Sequence, residues 1–162
     1  MRKTAELSGV PGMLRPFKAF ITEAGLNDGD QIVYYGCPGT CTPFIELLAY
    51  AIRDLPFTQV FVPLLDETQA KVLKPVSGVG MQVSAESIVP SPAVVVMMGG
   101  LSMPNVPVSA EMAVDTIAGY HARTVGICFM GMFEKTGWLS SLPFELLIDA
   151  NISPVDVYQG EP

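Results

Sequence analysis

Charge is the scarcest property of this sequence. Asp, Glu, Lys and Arg make up only 15% of its 162 residues, against about 25% in an average domain. Basic residues are scarcer still, 9 against 16 acidic ones, for a formal net charge of -7. A general nucleic-acid binder needs a basic surface, so no nucleic-acid partner is expected. Long apolar runs are missing too. Apolar-plus-glycine stretches such as 93–101 fall well short of the roughly 20 residues of a spanning helix, so no membrane partner is expected. After Arg2 and Lys3, Glu6, Ser8, Gly9, Pro11 and Gly12 interrupt any apolar signal core, and the cytoplasm is the expected compartment. Three cysteines, Cys37, Cys41 and Cys128, are an odd number and do not describe a disulfide framework. A single histidine, His121, leaves serine and cysteine with one base to share, and no nucleophile triad is assembled.

What the chain does have is apolar mass. Hydrophobic residues reach 49% and the mean hydropathy is +0.40, which excludes disorder. Pro and Gly are spread along the chain as turn markers, with no repeat, linker or low-complexity tract. One compact domain follows.

The apolar spacing of Leu14, Phe17, Ile21 and Ala24 predicts a helix over 14–24, ended by Gly25. A strand is expected over 31–35. Thr42 as N-cap and Pro43 at the first helical position open a second helix, with Phe44, Leu47, Leu48, Ala51 and Leu55 as its stripe. A second strand falls on 58–62. A short helix is expected over 66–73, stopped before Pro75, and a short strand over 81–84. The stretch 93–98 has no polar alternation, as in a strand covered on both faces of a parallel sheet. Ser109 caps a further helix. Another buried strand spans 124–130. The tail reads as a helix over 144–152, with a strand over 145–149 as the alternative, and a last strand over 155–158.

Strands alternating with helices predict an α/β fold: a single three-layer Rossmann-like domain, with a mostly parallel sheet of five or six strands and helices on both faces. Ligands of such sheets bind beyond the carboxyl ends of the strands. That rule selects the loops 36–42, 99–109 and 131–138, with Asp66 and Glu67 after the second strand on the same edge. The expected ligand is a small anion held by Gly36, Cys37, Gly39, Thr40, Cys41 and Thr42 at a helix N-terminus, with Gly99 and Gly100 as the opposite wall and Gly131 beyond. Asp66 serves either a ligand hydroxyl or as a helix cap. The loop fits neither the dinucleotide fingerprint nor the P-loop. Cys41, close to a helix start, and Cys37 are candidate reactive thiols; burial as small apolar residues is the plainer reading. Cys128 belongs within the sheet, so no metal site is expected, and no particular cofactor is indicated. The aromatic segment 131–138 is either a lid or packing over the sheet edge.

Two resemblances rest on particular residues. The stretch from Gly29-Asp30 through Ile32-Val33-Tyr34-Tyr35 to Gly36-Cys37-Pro38-Gly39-Thr40 resembles the first motif of class I S-adenosylmethionine methyltransferases. It departs from that motif in having Tyr34 where the family has an acid and one glycine fewer in the loop. The chain as a whole resembles a family of uncharacterised proteins, a domain of unknown function, from methanogenic archaea. Tyr35-Gly36-Cys37-Pro38-Gly39-Thr40-Cys41 and Val95-Val96-Met97-Met98-Gly99-Gly100-Leu101 carry that likeness, which implies a small cytoplasmic archaeal protein and no particular activity.

Three functions fit these readings. The first is a binding domain for a small anionic ligand or nucleotide at the carboxyl edge of the sheet. The second is a redox enzyme or sensor that uses Cys37 and Cys41. The third is a degenerate methyltransferase-like fold or a non-catalytic assembly protein, a homodimer whose interface takes up the apolar surplus.

Overall fold

The computed structural model describes residues 1–160. A single sheet of seven strands organises the chain, one or two strands more than the sequence predicts. In chain order the elements are α1 (Gly9–Glu23), β1 (Gln31–Gly36), α2 (Thr42–Ala51), β2 (Thr58–Pro63), β3 (Lys71–Val76), β4 (Gly80–Ser87), β5 (Pro92–Met98), α3 (Ala110–Ile117), β6 (Arg123–Phe129), α4 (Met132–Lys135) and β7 (Leu146–Ala150). The strand order is β4-β3-β2-β1-β5-β6-β7. β1, β2, β5, β6 and β7 run parallel, while β3 and β4 form an antiparallel hairpin on one edge. The parallel strands thus follow the order β2-β1-β5-β6-β7, and the point where the strand order reverses, the switch point, falls between β1 and β5.

Burial explains why these segments became strands. Ile32, Val33, Tyr34 and Tyr35 of β1 and Val94 through Met98 of β5 are buried on both faces, so no polar alternation was possible. On one face Phe17 of α1 meets the Tyr34 ring, 6.2 Å away between centroids, and Ile45 of α2 abuts Gly36. On the other, Val95 lines a cavity with Val114 and Ile117 of α3. Tyr34 is fully buried, and its hydroxyl donates to Gln59 Oε1 at 2.8 Å. The Gln59 amide in turn donates to the Ala49 carbonyl at 3.0 Å. The core therefore holds its polar groups without leaving one orphaned.

Several expected elements take a different form. The helix over 66–73 shrinks to a 3-10 turn at Glu67–Gln69, after which Lys71 and Val72 pair with β2. Pro75 sits inside β3. Pairing with β2 reaches only Val72, so the missing N–H of Pro75 breaks no bond on that side. The short strand over 81–84 extends to Gly80–Ser87. The helix over 144–152 is β7, so the strand alternative holds: Leu146 to Ala150 pair with Val125 to Phe129. The last strand over 155–158 does not form; Val155, Val157 and Tyr158 are exposed and outside the sheet. Cys41, not Thr42, occupies the cap position of α2.

One connection shapes the surface. The chain passes from β4, on the far edge, to β5, beyond β1, through residues 88–91 with no helix. Gln31 anchors this extended segment, donating to the Val89 carbonyl and accepting from the Ser91 amide at 2.8 Å. Among the described residues no helix is long and apolar enough to cross a membrane.

Candidate functional site

At the switch point the carboxyl ends of β1 and β5 meet the cysteines. The turn after β1 is closed by the Cys41 amide, which donates to the Cys37 carbonyl at 3.0 Å. This one-turn spacing sets both side chains on the same side of the turn. Both are buried, at 5% and 3% exposure. The glycines around them are there for lack of space. A Cβ at Gly36 would lie 2.8 Å from Cys41 Cβ, and one at Gly100 would lie 2.4 Å from Cys41 Sγ and 3.7 Å from Cys37 Sγ. A Cβ at Gly99 would meet Cys128 Cβ at 2.4 Å and Cys128 Cα at 2.9 Å. The Gly99-Gly100 turn is thus wedged between the Cys37–Cys41 pair and Cys128.

All three cysteines are free. Burial pushes the Cys37 thiol up to about 11, with the adjoining Cys41 thiol adding to the rise. Burial also raises Cys41, while Cys37 and the Gly100 amide pull it back. Cys128 is pushed up to about 11, again by burial, and its Sγ contacts Asp149 Oδ1 at 3.5 Å. At neutral pH these are thiols, not thiolates. Among the described residues no group of three His, Cys, Asp or Glu side chains converges to hold a metal ion.

The amides of the 36–42 loop are mostly engaged. Gly39 N–H donates to Thr42 Oγ1 at 3.1 Å, Thr40 N–H to Pro38 O, and Phe44 and Ile45 N–H to Cys41 O. Pro43 has none to offer. Gly39 and Thr40 are exposed and Thr42 half-buried at the mouth. Gly131 lies two strands away from β1, with its N–H on Asp149 Oδ1 at 2.9 Å. Phe133 and Trp138 are buried with rings stacked 5.7 Å apart, so the segment 131–138 packs over the sheet edge. His121 is exposed.

Asp66 is a cap. Its carboxylate accepts from the Thr68 amide at 3.1 Å, the Thr68 hydroxyl at 2.5 Å and the Gln69 amide at 2.7 Å. These bonds, Thr68 first, hold its carboxyl below the usual range. Asp66→Ala removes these bonds and should lower stability. Denaturant titration checks it, the expected sign being a lower midpoint with an unchanged slope.

The neighbouring Glu67 carries the cluster that sequence reasoning missed. Tyr35 Oη donates to Glu67 Oε1 at 2.7 Å. Tyr120 Oη reaches Oε1 at 3.0 Å and Oε2 at 3.1 Å. Burial, and then the Glu67 carboxylate, push both phenols up. Leu64 and Leu65 precede the cluster with φ of 48° and 68°, and the Asp66 amide closes onto the Pro63 carbonyl at 2.8 Å. Two positive φ angles inside such a turn usually fall to glycine or asparagine. Here leucines hold them, at a cost of about 1 kcal/mol or more each, and the chain doubles back so that Glu67 meets Tyr35. Glu67, Thr68, Ser87, Ile88, Val89, Pro90 and Tyr120 line a cavity of about 490 Å³. Tyr120 also walls an apolar cavity of about 230 Å³ under α3. The local signals, an acid after the second strand and a tyrosine ending the first, were visible; their meeting with Tyr120 was not.

Fold and site together define a single-sheet, mostly parallel α/β protein with buried thiols at its switch point. Comparison with known sequences makes this particular: the chain belongs to the family described as "Uncharacterized protein conserved in archaea (DUF2124)", whose sequence model matches residues 8–153. An uncharacterized protein of Methanothermobacter thermautotrophicus is 33% identical over 156 residues, covering 94% of this chain and 95% of the relative. Uncharacterized protein MJ1183 of Methanocaldococcus jannaschii is 32% identical over 154 residues, 94% of this chain and 91% of its own. A crystal structure of a protein of unknown function from M. thermautotrophicus superposes with a TM-score of 0.86 at 30% identity, over 98% of this chain and 99% of that one.

Proposed function

We propose that this chain is a Rossmann-like, redox-responsive protein in which Cys37 and Cys41 exchange between dithiol and disulfide. The observation that carries this reading is the convergence of both sulfurs on Gly100 at the switch point. In the forward reaction the Cys41 thiolate attacks one sulfur of an organic disulfide and releases one thiolate. The Cys37 thiolate then attacks the Cys41 sulfur of the mixed disulfide and releases the second. Two protein thiols are oxidised, one external disulfide is reduced to two thiols, and two protons leave the protein. Raised thiol pKa values make the exchange slow at neutral pH. Closing the bond would draw Cys41 away from Gly100 and disturb the start of α2.

Incubation with hydroxyethyl disulfide followed by peptide mass mapping tests it. The expected product is an intramolecular Cys37–Cys41 disulfide, 2 Da lighter (~2 hydrogens lost), reversed by dithiothreitol, with Cys128 still reduced. Only mixed disulfides, or a bond that includes Cys128, would overturn the reading.

A small anion at the loop 36–42 remains the second reading, favoured by the position of that loop at the switch point. It draws less support, because most loop amides are already engaged and the cysteine side chains fill the crevice. An adenosylmethionine ligand draws none from Tyr34, which is buried and bonded to Gln59 where that family has its acid.

A further inference from the structure

The cavity beside Glu67 is lined by neither cysteine of the thiol pair, and nothing in the redox reading uses it. We propose that it is a binding site for a small organic cation, an ammonium or amidinium group on an apolar body. Three observations carry this.

The first is the state of the carboxylate. Oε1 of Glu67 takes the two shorter tyrosine contacts, at 2.7 and 3.0 Å, while Oε2 has only the longer one from Tyr120, at 3.1 Å. A carboxylate offers about four acceptor positions, so Oε2 keeps capacity for an N–H donor. Tyr35 and Tyr120 meanwhile fix the group in one orientation. A pre-aimed acceptor beside an aromatic ring is the arrangement that recognises a cationic nitrogen, through a charge-assisted hydrogen bond and the ring face.

The second is the rest of the wall. Thr68 and Ser87 bring hydroxyls, whereas Ile88, Val89 and Pro90 bring an apolar surface for the body of the ligand. Val89 is 83% exposed, so its side chain is accessible to such a body. The one nearby cation seen to contact this wall is Lys71, whose ammonium is held by Ser87 Oγ at 2.8 Å and the Ala85 carbonyl at 3.4 Å. It lies on the β4 side and makes no ion pair with Glu67 among the described residues.

The third is the field of the whole chain. A net charge of -7 repels the anions that a loop reading of the fold would suggest, and it raises the local concentration of cations. The cation reading removes that conflict.

An NMR titration with benzylammonium, benzamidinium and the neutral benzyl alcohol tests the proposal. The cations should give saturable shifts at the amides of Thr68, Ser87, Ile88, Val89 and Tyr120. Benzyl alcohol should bind at least about tenfold more weakly, the difference between a charged and a neutral hydrogen bond. Glu67→Gln should remove that preference, and Cys41→Ser should leave it intact, which separates this site from the thiol pair. Equal binding of the alcohol and the cations, or the absence of saturable shifts at these residues, would overturn it. This comparison needs only the unaltered protein, so a Glu67→Gln variant that fails to fold does not remove the test.

Discussion

Gly99→Ala should lower stability by about 3 kcal/mol or more, the upper range for forcing a methyl group into a closed core. For a domain of this size the melting temperature would fall by about 10 °C. The added Cβ would stand 2.4 Å from Cys128 Cβ and 2.9 Å from Cys128 Cα. The second distance makes the effect large. A side chain can turn away, but Cys128 Cα belongs to β6, which is hydrogen-bonded to β5 on one side and β7 on the other. Relief therefore requires the turn after β5 to lift from the sheet. Two comparisons isolate the cause. Gly119→Ala, where an added Cβ meets nothing within 4 Å and φ is ordinary, should stay within about 0.5 kcal/mol of wild type. Adding Cys128→Gly to Gly99→Ala removes the 2.4 Å clash and leaves the 2.9 Å one, so it should restore part of the loss. Thermal melts of the three variants decide the matter, and a Gly99→Ala protein as stable as Gly119→Ala would refute this account of the turn.

That packing also explains how much of the molecule could be read in advance. The buried parallel strands were legible because burial on both faces leaves only apolar residues, as in Val94 to Met98 and Val125 to Cys128. The hairpin of β3 and β4 was not. Lys74, Glu86 and Ser84 face partly or wholly outward on a sheet edge, and Pro75 breaks the pattern without breaking the strand. Leu146, Leu147 and Ile148 form an apolar run too short to separate helix from strand. Val155 to Tyr158 alternate as a strand would, yet find no partner in the sheet. The site divides in the same way. Gly36, Cys37 and Cys41 lie close together in sequence, and the strand-to-helix turn announced them. Glu67 and Tyr120 are 53 residues apart. Only the left-handed turn at Leu64 and Leu65 and the long-range packing of Tyr120 bring a carboxylate and two phenols together, and neither has a local signature.

The thiols should show the second large effect, through pH. Cys37 and Cys128 are both pushed up to about 11 by burial. Relative to the ordinary value of 9.0 from which they are raised, at pH 7 ionisation alone should slow alkylation of these residues by roughly 100-fold. The rate should then climb about tenfold per pH unit through pH 10, where a free thiol levels off near about 8.5. Stability runs the other way. A folded-state pKa above the unfolded one favours the native state fully below the unfolded value, and that advantage disappears as pH rises from about 9 towards about 11. Alkaline conditions therefore free the thiols by ionisation and by unfolding at once, and the two must be separated. Iodoacetamide labelling followed by intact mass, with circular dichroism on the same samples, does so. Labelling that climbs while the spectrum stays native reports ionisation in the folded protein. A labelling rate that levels off near pH 8.5 with the fold intact would mean that the cysteines are not buried as this packing requires and react as ordinary free thiols.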